Sequence, residues 1–464
     1  MNHKKLYIDT VGCQMNVNDS ERIVTLLQPL GYTQTQRRSE ATLILFNTCT
    51  VRAGAEECLL QNIANLKNLK KKRPGVLIGV AGCVAQQMGE ELLQKYPWVN
   101  LVSGTHNLHL VPDMVRDAEQ GRRRSETDFL DSSERLDLFP PIEGRKRTSA
   151  FVTVMQGCDN FCSYCIVPYV RGREISRRFN EILHEVQDLA DQGVREVVLL
   201  GQNVNSYGIK GEGQPAFADL VRAVAEISGI ERIRFVTSHP KDMSDALIAC
   251  FADLPKLCGA LHLPAQAGSN RILAAMNRGY SREHYLETVY KLRQARPDIK
   301  ITGDMIVSFP GETEAEFEET LSLMEEVRFF DLFSFVYSPR PATKAAELED
   351  NLPKDIKLAR LDRLQKLQGV HSRIHNEAYV GTIQKVLVEG IAKRHGQVSG
   401  RCDSGRIVNL AGSPALIGKL VDVNILEGYA NSLLGELQNP KQKDTASFSD
   451  THVLPPKTQG DVGG

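Results

Sequence analysis
Three cysteines in the run Cys158-Asp-Asn-Phe-Cys162-Ser-Tyr-Cys165 are spaced by four and three residues. An apolar, β-branched stretch, Phe151 to Met155, leads into them through Gln156-Gly157, and Pro168 closes the segment. Steps of four and three also describe one face of a helix, with small thiols packed in a core. Asp159, Asn160 and Ser163 are turn formers, so a loop pinned at both ends is the stronger expectation. Three thiols turned inward on such a loop suit a metal or a cluster. A structural zinc site closes with four protein ligands, and no fourth cysteine or histidine lies near. Iron–sulfur clusters take thiolates at such short spacings. Three ligands on a four-iron cubane leave one iron open, and an open iron can do chemistry.

A second trio follows a different rule. Cys13, Cys49 and Cys83 each come within five residues of the carboxyl end of a different apolar strand, at 6–8, 43–46 and 76–80. In open α/β sheets that edge is where ligands bind, so three thiols remote in sequence converge in one crevice. Cys58, inside a helical pattern, serves as the control and reads as packing.

The elements that must position these trios fall into three parts. The chain has 464 residues, 42% hydrophobic and 24% charged, with net charge −1. That length asks for two to four domains, and the charge excludes a general basic field for nucleic acid. Ten cysteines without a secretory leader point to a reducing cytoplasm, where thiols serve metals or catalysis. No apolar run approaches a membrane span. Residues 1–120 alternate strands (6–8, 43–46, 76–80, 99–102) with helices, which predicts a parallel α/β domain. Residues 121–147, with Pro140-Pro141 and Gly144, read as a polar linker. Strands at 151–155, 196–200, 232–236, 260–263, 299–307 and 332–337 each run into a polar or Gly/Pro-rich turn, predicting a partial (β/α)6 barrel over 148–376. Its last stretch, 353–376, reads as a connecting helix. Five short strands over 377–439 predict a small OB-like β-barrel. Its six basic residues (Lys385, Lys393, Arg394, Arg401, Arg406, Lys419) are balanced by six acids. The tail from 440 is polar and reads as disordered.

Cys-x3-Cys-x2-Cys after a first strand resembles the radical S-adenosylmethionine (SAM) enzymes. The three-part layout resembles, more closely, the methylthiotransferase family over roughly residues 4–439. The matching stretches are GCQMN, NTC, GCV, CDNFCSYCIVPYVRGREISR, LLGQNVNSYG, IRFVTSHP, LHLPAQAGSNRIL and FPGETEAEF. The resemblance implies that Cys158, Cys162 and Cys165 hold a radical 4Fe-4S cluster that binds SAM. It implies an auxiliary 4Fe-4S cluster on Cys13, Cys49 and Cys83, and it identifies the trailing barrel as a TRAM RNA-binding domain. The implied reaction is methylthiolation of adenine carbon 2 in N6-(dimethylallyl)adenosine of tRNA, next to the anticodon. A flavodoxin or ferredoxin would donate the electron to a monomeric enzyme. The chain departs from the family pattern at Ala267 (Ser expected) and at Ser308 and Ala342 (Gly expected), the last two lacking glycine's freedom at positive φ. Gly201-Gln202-Asn203 stands where many radical enzymes carry Gly-Gly-Glu.

RNA contact would need basic groups beside the cysteine loop, and Arg171, Arg173, Arg177 and Arg178 face only Glu174 there. The bland alternative is arginines pairing with barrel acids. His239 and His262 lie near strand ends, as ligands or as core hydrogen-bonders. Rival readings are a sister methylthiotransferase, acting on threonylcarbamoyladenosine tRNA or a ribosomal protein, and a non-catalytic zinc protein that binds RNA.

Overall fold
Apolar strands and intervening helices at the start of the chain form a six-stranded parallel sheet in the computed structural model, which describes residues 4–50, 53–130, 147–210, 213 and 215–438. In chain order the elements are β1 (Lys4–Val11), α1 (Gln14–Leu27), β2 (Tyr32–Gln34), β3 (Leu43–Thr48), α2 (Ala53–Lys72), β4 (Leu77–Ala81), α3 (Cys83–Met88), α4 (Glu90–Lys95), β5 (Leu101–Ser103), α5 (Val111–Glu119) and β6 (Arg124–Glu126). The sheet order is β2-β1-β3-β4-β5-β6. Every residue of β3 is buried, as a central parallel strand covered on both faces requires. Ile44, Phe46, Ile78 and Val80 pack on one face, and Leu43, Leu45, Leu77 and Ala81 on the other. The edge strands β2 and β6 are three residues each, too short for periodicity to reveal. β6 falls inside the stretch expected to be linker, of which 131–146 lies outside the described residues.

The next domain carries β7 (Ser149–Thr153), β8 (Met155–Gln156), α6 (Val167–Arg171), β9 (Ile175–Ser176), β10 (Glu196–Leu200), β11 (Arg232–Phe235), β12 (Ala260–His262), β13 (Lys300–Val307) and β14 (Asp331–Val336). Six of these strands form two parallel sheets of three, β7-β10-β11 and β12-β13-β14, linked by a bridge between Ile233 and Leu257. One hydrophobic core runs behind both. Burial alternates strictly along β13, so Ile301, Met305 and Val307 face the helices while Thr302, Asp304 and Ile306 face the open interior. Register sets Asp304 beside Phe333 and Ile306 beside Phe335. Both phenylalanines are exposed.

The first domain caps the other half of that interior. Met15 of α1 packs on Val198 and Leu200 of β10, Asn18 Nδ2 donates to Thr153 Oγ1 at 2.6 Å, and Arg147 pairs with Glu21 at 2.8 Å.

A helix, Lys354–Glu377, leads to a closed five-stranded barrel: β15 (Ile383–Ile391), β16 (Gln397–Arg401), β17 (Ile407–Ala411), β18 (Leu420–Gly428) and β19 (Ser432–Leu437). The barrel docks at the amino ends of the preceding strands. Arg232 donates to the carbonyls of Arg401 and Lys385 at 2.7 and 2.6 Å, and Arg234 to those of Cys402 and Asp403 at 2.8 Å. Asp403 accepts from the Gly259 amide at 2.7 Å, and Phe330, just before β14, belongs to the barrel's core. Arg406, one of the six basic residues, is spent here, buried with its guanidinium over the Phe330 ring at 4.2 Å. Among the described residues, no helix is long and apolar enough to cross a membrane.

Candidate active site
β1, β3 and β4 are neighbours in the sheet, so the residues just past their carboxyl ends meet. Cys13 precedes α1, Cys83 begins α3, and the Cys49 amide donates to the Val11 carbonyl at 2.9 Å. The Cys49 thiol lies within hydrogen-bonding reach of both others. Contact with Cys13 and Cys83 raises the Cys49 thiol, while the bond to Cys49 lowers each of them, helped by the positive charge of Arg171. Two glycines make this convergence possible. A Cβ on Gly12 would stand 2.4 Å from Asn16 Oδ1 and 2.9 Å from Cys49 Cβ. One on Gly82, at φ +89°, would stand 2.2 Å from Asn47 Oδ1. Buried Asn16 and Asn47 frame the pocket, with Asn16 Nδ2 donating to Asn47 Oδ1 at 3.1 Å. Cys58, the expected packing residue, is instead exposed on α2.

The second trio sits on the loop between β8 and α6, whose base is held by the antiparallel pairing of β8 and β9. Gly157, at φ +83°, donates its amide to Gln202 Oε1 at 2.5 Å, and the Cys158 amide donates to the Gly172 carbonyl at 3.2 Å. The Ser163 amide and hydroxyl donate to the carbonyls of Met276 and Ala275. Burial pushes the Cys158 thiol up to about 11 and raises Cys165 as well. Buried Arg278 answers that cost: its Nη1 lies 3.4 Å from Cys162 Sγ and its Nη2 donates to the Pro264 carbonyl at 3.0 Å. Among the described residues, no three His, Cys, Asp or Glu side chains surround a single ion's position.

The first trio reaches the helix that follows the cysteine loop through Cys83. Cys83 packs on Ile166 and Val170, and Ile166 follows Cys165 directly. Thr105 Oγ1 donates to the Val170 carbonyl at 2.6 Å, and His106 Nε2 lies 2.8 Å from the Arg171 carbonyl, fixing the helix against the first domain.

Two of the four arginines expected to face RNA do not. Arg171 is 2% exposed and pairs with Asp19 at 2.7 Å. Arg177 is also buried, donating to the Thr153 carbonyl at 2.9 Å and paired with Glu185. Charge counting along a sequence cannot tell a guanidinium that reaches inward to a buried carboxylate from one left in water. Arg173, over the Phe161 ring and paired with Asp159, and Arg178 remain exposed.

Past the carboxyl ends of β10 to β14, buried polar atoms lack partners: Asn203 Oδ1, Ser238 Oγ, His239 Nε2, Gln266 Oε1, Ser308 Oγ and Tyr337 OH. Buried polar groups are normally satisfied, so such a ring marks a place for a polar ligand. His239 Nδ1 accepts from the Lys241 amide at 3.3 Å, which leaves the proton on Nε2, and burial holds the ring neutral with its pKa lowered to about 2. His262 Nε2 lies 3.4 Å from Asp304 Oδ1.

The same loops hold strained residues. Ser308 has φ +59° and Ala342 has φ +63°, both left-handed, as their replacement of glycine foretold. Left-handed backbone costs an L-residue about 1–2 kcal/mol. Ser308→Gly and Ala342→Gly are each expected to stabilise the protein by about 1 kcal/mol, read as a raised urea midpoint at unchanged m-value. A lowered midpoint would show that the side chains contribute more than the strain.

Sequence reasoning missed Arg278, Asn16 and Asn47, none of which stands in a pattern of its own. NTC and GCQMN did contain the two asparagines, each within three residues of a cysteine.

Residues 5–104 match the uncharacterized protein family UPF0004, residues 152–324 the radical SAM superfamily and residues 377–438 the TRAM domain. The chain is similar to proteins called tRNA-2-methylthio-N(6)-dimethylallyladenosine synthase. That of Trichlorobacter lovleyi is 89% identical, over 94% of this chain and 100% of that one. That of Pelobacter propionicus is 62% identical over 94% and 99%, and that of Geobacter sulfurreducens 59% over 95% and 98%. Among solved structures, the radical S-adenosylmethionine methyltransferase TsrM of Kitasatospora setae shares the fold, with TM-score 0.55 at 13% identity over 75% of this chain and 77% of that one. The cobalamin-dependent S-adenosylmethionine radical enzyme OxsB gives 0.52 at 10% identity over 79% and 56%.

Proposed function
The chain belongs to the tRNA-2-methylthio-N(6)-dimethylallyladenosine synthase family, and on that premise we propose that it places a methylthio group on adenine carbon 2 of N6-(dimethylallyl)adenosine, next to the anticodon of tRNA. The supporting observation is that Cys83 packs against Ile166, the residue that follows Cys165, so the first trio's pocket abuts the second trio's loop. That carbon bears a hydrogen with no acidity for a general base to use. A radical must open the position, and sulfur must be held within bonding distance of it.

Cys158, Cys162 and Cys165 would hold the radical 4Fe-4S cluster, and Cys13, Cys49 and Cys83 an auxiliary one. When bound, the clusters and SAM supply a hydrogen-abstracting radical and a sulfur source. The chain supplies the rest. Arg278 offsets thiolate charge at Cys162. Asn203, His239 Nε2–H, Gln266 and Ser308 offer unpaired donors and acceptors to SAM's polar end. α1 closes one half of the barrel interior against water. The other half stays open, where exposed Phe333 and Phe335 give a base a ring to stack on. Arg173 and Arg178 are proposed as phosphate contacts. The domains are 1–120, 148–376 and 377–439, with β6 attaching the start of the linker to the first. A cytoplasmic monomer reduced by a flavodoxin or ferredoxin completes the reading.

Anaerobic incubation with SAM and undermodified tRNA tests it, and 5′-deoxyadenosine and a methylthio nucleoside are expected together. Bound zinc without acid-labile sulfide, or radical cleavage without a modified nucleoside, would overturn it. In the same preparation, Arg173→Ala with Arg178→Ala should flatten the salt dependence of tRNA binding, and an unchanged slope removes the phosphate role.

A further inference from the structure
Arg171 belongs by sequence to the radical core, six residues past Cys165, but its side chain ends in the first domain's cysteine pocket. One guanidinium nitrogen, Nη2, donates to Asp19 at 2.7 Å. The other, Nη1, is buried without a hydrogen-bond partner. The guanidinium lies within reach of the Cys83 thiol, and its charge is felt at Cys13. Its backbone is fixed from the other side, through His106 on the Arg171 carbonyl and Thr105 on that of Val170. A buried cation with one carboxylate partner and one idle donor, beside Cys83 and Cys13, is arranged for an anion.

We propose that Arg171 is a positioning residue for the auxiliary site, its free Nη1 donating to anionic sulfur held there, so that the radical core supplies the positive charge of the first domain's sulfur centre. The inference rests on the two-cluster reading above. A neighbouring cation stabilises the more negative, reduced form of a cluster and raises its potential. Asp19 tempers that charge. Removing the arginine and removing the aspartate must therefore shift the potential in opposite directions, whereas an arginine that merely pins two domains together gives no such pair of signs.

The experiment uses the full chain with Cys158, Cys162 and Cys165 replaced by alanine, leaving only the first trio to bind a cluster. Absence of iron and sulfide in that parent would sink the two-cluster reading itself. With the cluster present, Arg171→Met is expected to lower its midpoint potential, Arg171→Lys to restore most of it and Asp19→Asn to raise it. Methanethiolate, added as a probe of the open site and followed by electron paramagnetic resonance, should bind at least about tenfold more weakly to Arg171→Met, a loss of about 1.4 kcal/mol. Unchanged potential and probe affinity in Arg171→Met would overturn the proposal. Should that variant fail to hold a cluster, Asp19→Asn decides: a raised potential supports the role, and an unchanged or lowered one rejects it.

Discussion

Cys49→Ala is expected to remove methylthio product while 5′-deoxyadenosine is still made. Cys49 is the buried middle thiol, within reach of both Cys13 and Cys83, and it lowers both of them. Without it the pocket keeps two thiols at separate strand ends, and one of its three ligands is gone. The loop of Cys158 hangs on other anchors, Gln202, Gly172, Met276 and Ala275. Product should fall at least about a hundredfold, equivalent to about 2.7 kcal/mol in the barrier, with iron and sulfide dropping to the content of one cluster. Methylthio nucleoside forming at the normal rate in this variant would mean that the first trio has no part in the reaction.

Gly157→Ala should silence the radical half without touching a thiol. At φ +83° the backbone there favours glycine, and a Cβ would lie 2.0 Å from the Arg173 carbonyl oxygen and 2.6 Å from that of Gly172. Both neighbours are backbone, held by the β8–β9 pairing, so neither can rotate away. The loop must shift, and the Cys158 amide loses the Gly172 carbonyl. The expected result is loss of one cluster's iron, no 5′-deoxyadenosine and no product, with the first trio's cluster retained. Gly75→Ala is the control, since a Cβ there meets nothing within 4 Å, and it should behave as the parent. Normal radical formation by Gly157→Ala would show that the loop's geometry is not what positions the chemistry.

Much of the architecture was legible because apolar period and turn residues are local properties of the chain. All six strands of the partial barrel and all five of the small barrel lie where their patterns place them. The edge strands β2 and β6 were not legible, because three residues carry no period and their pairing is supplied by neighbours. Strained Ser308 and Ala342 could be anticipated from the family pattern, which has glycine where this chain carries a Cβ.

The cysteines divide in the same way. Spacing alone put Cys158, Cys162 and Cys165 on one loop, and strand-end position alone put Cys13, Cys49 and Cys83 at one sheet edge. The sequence could not say that the helix after the loop lies against the sheet edge. That depends on α1 plugging the barrel through Met15 and on α6 lying against α3 through Cys83, contacts between domains with no local trace. Nor could it say that Arg171 and Arg177 turn inward while Arg173 and Arg178 stay in water, or that the small barrel docks at the strand ends opposite the cysteines. Residue type fixes what a group can do, but burial and partners, which only the assembled fold provides, decide which anion a guanidinium meets.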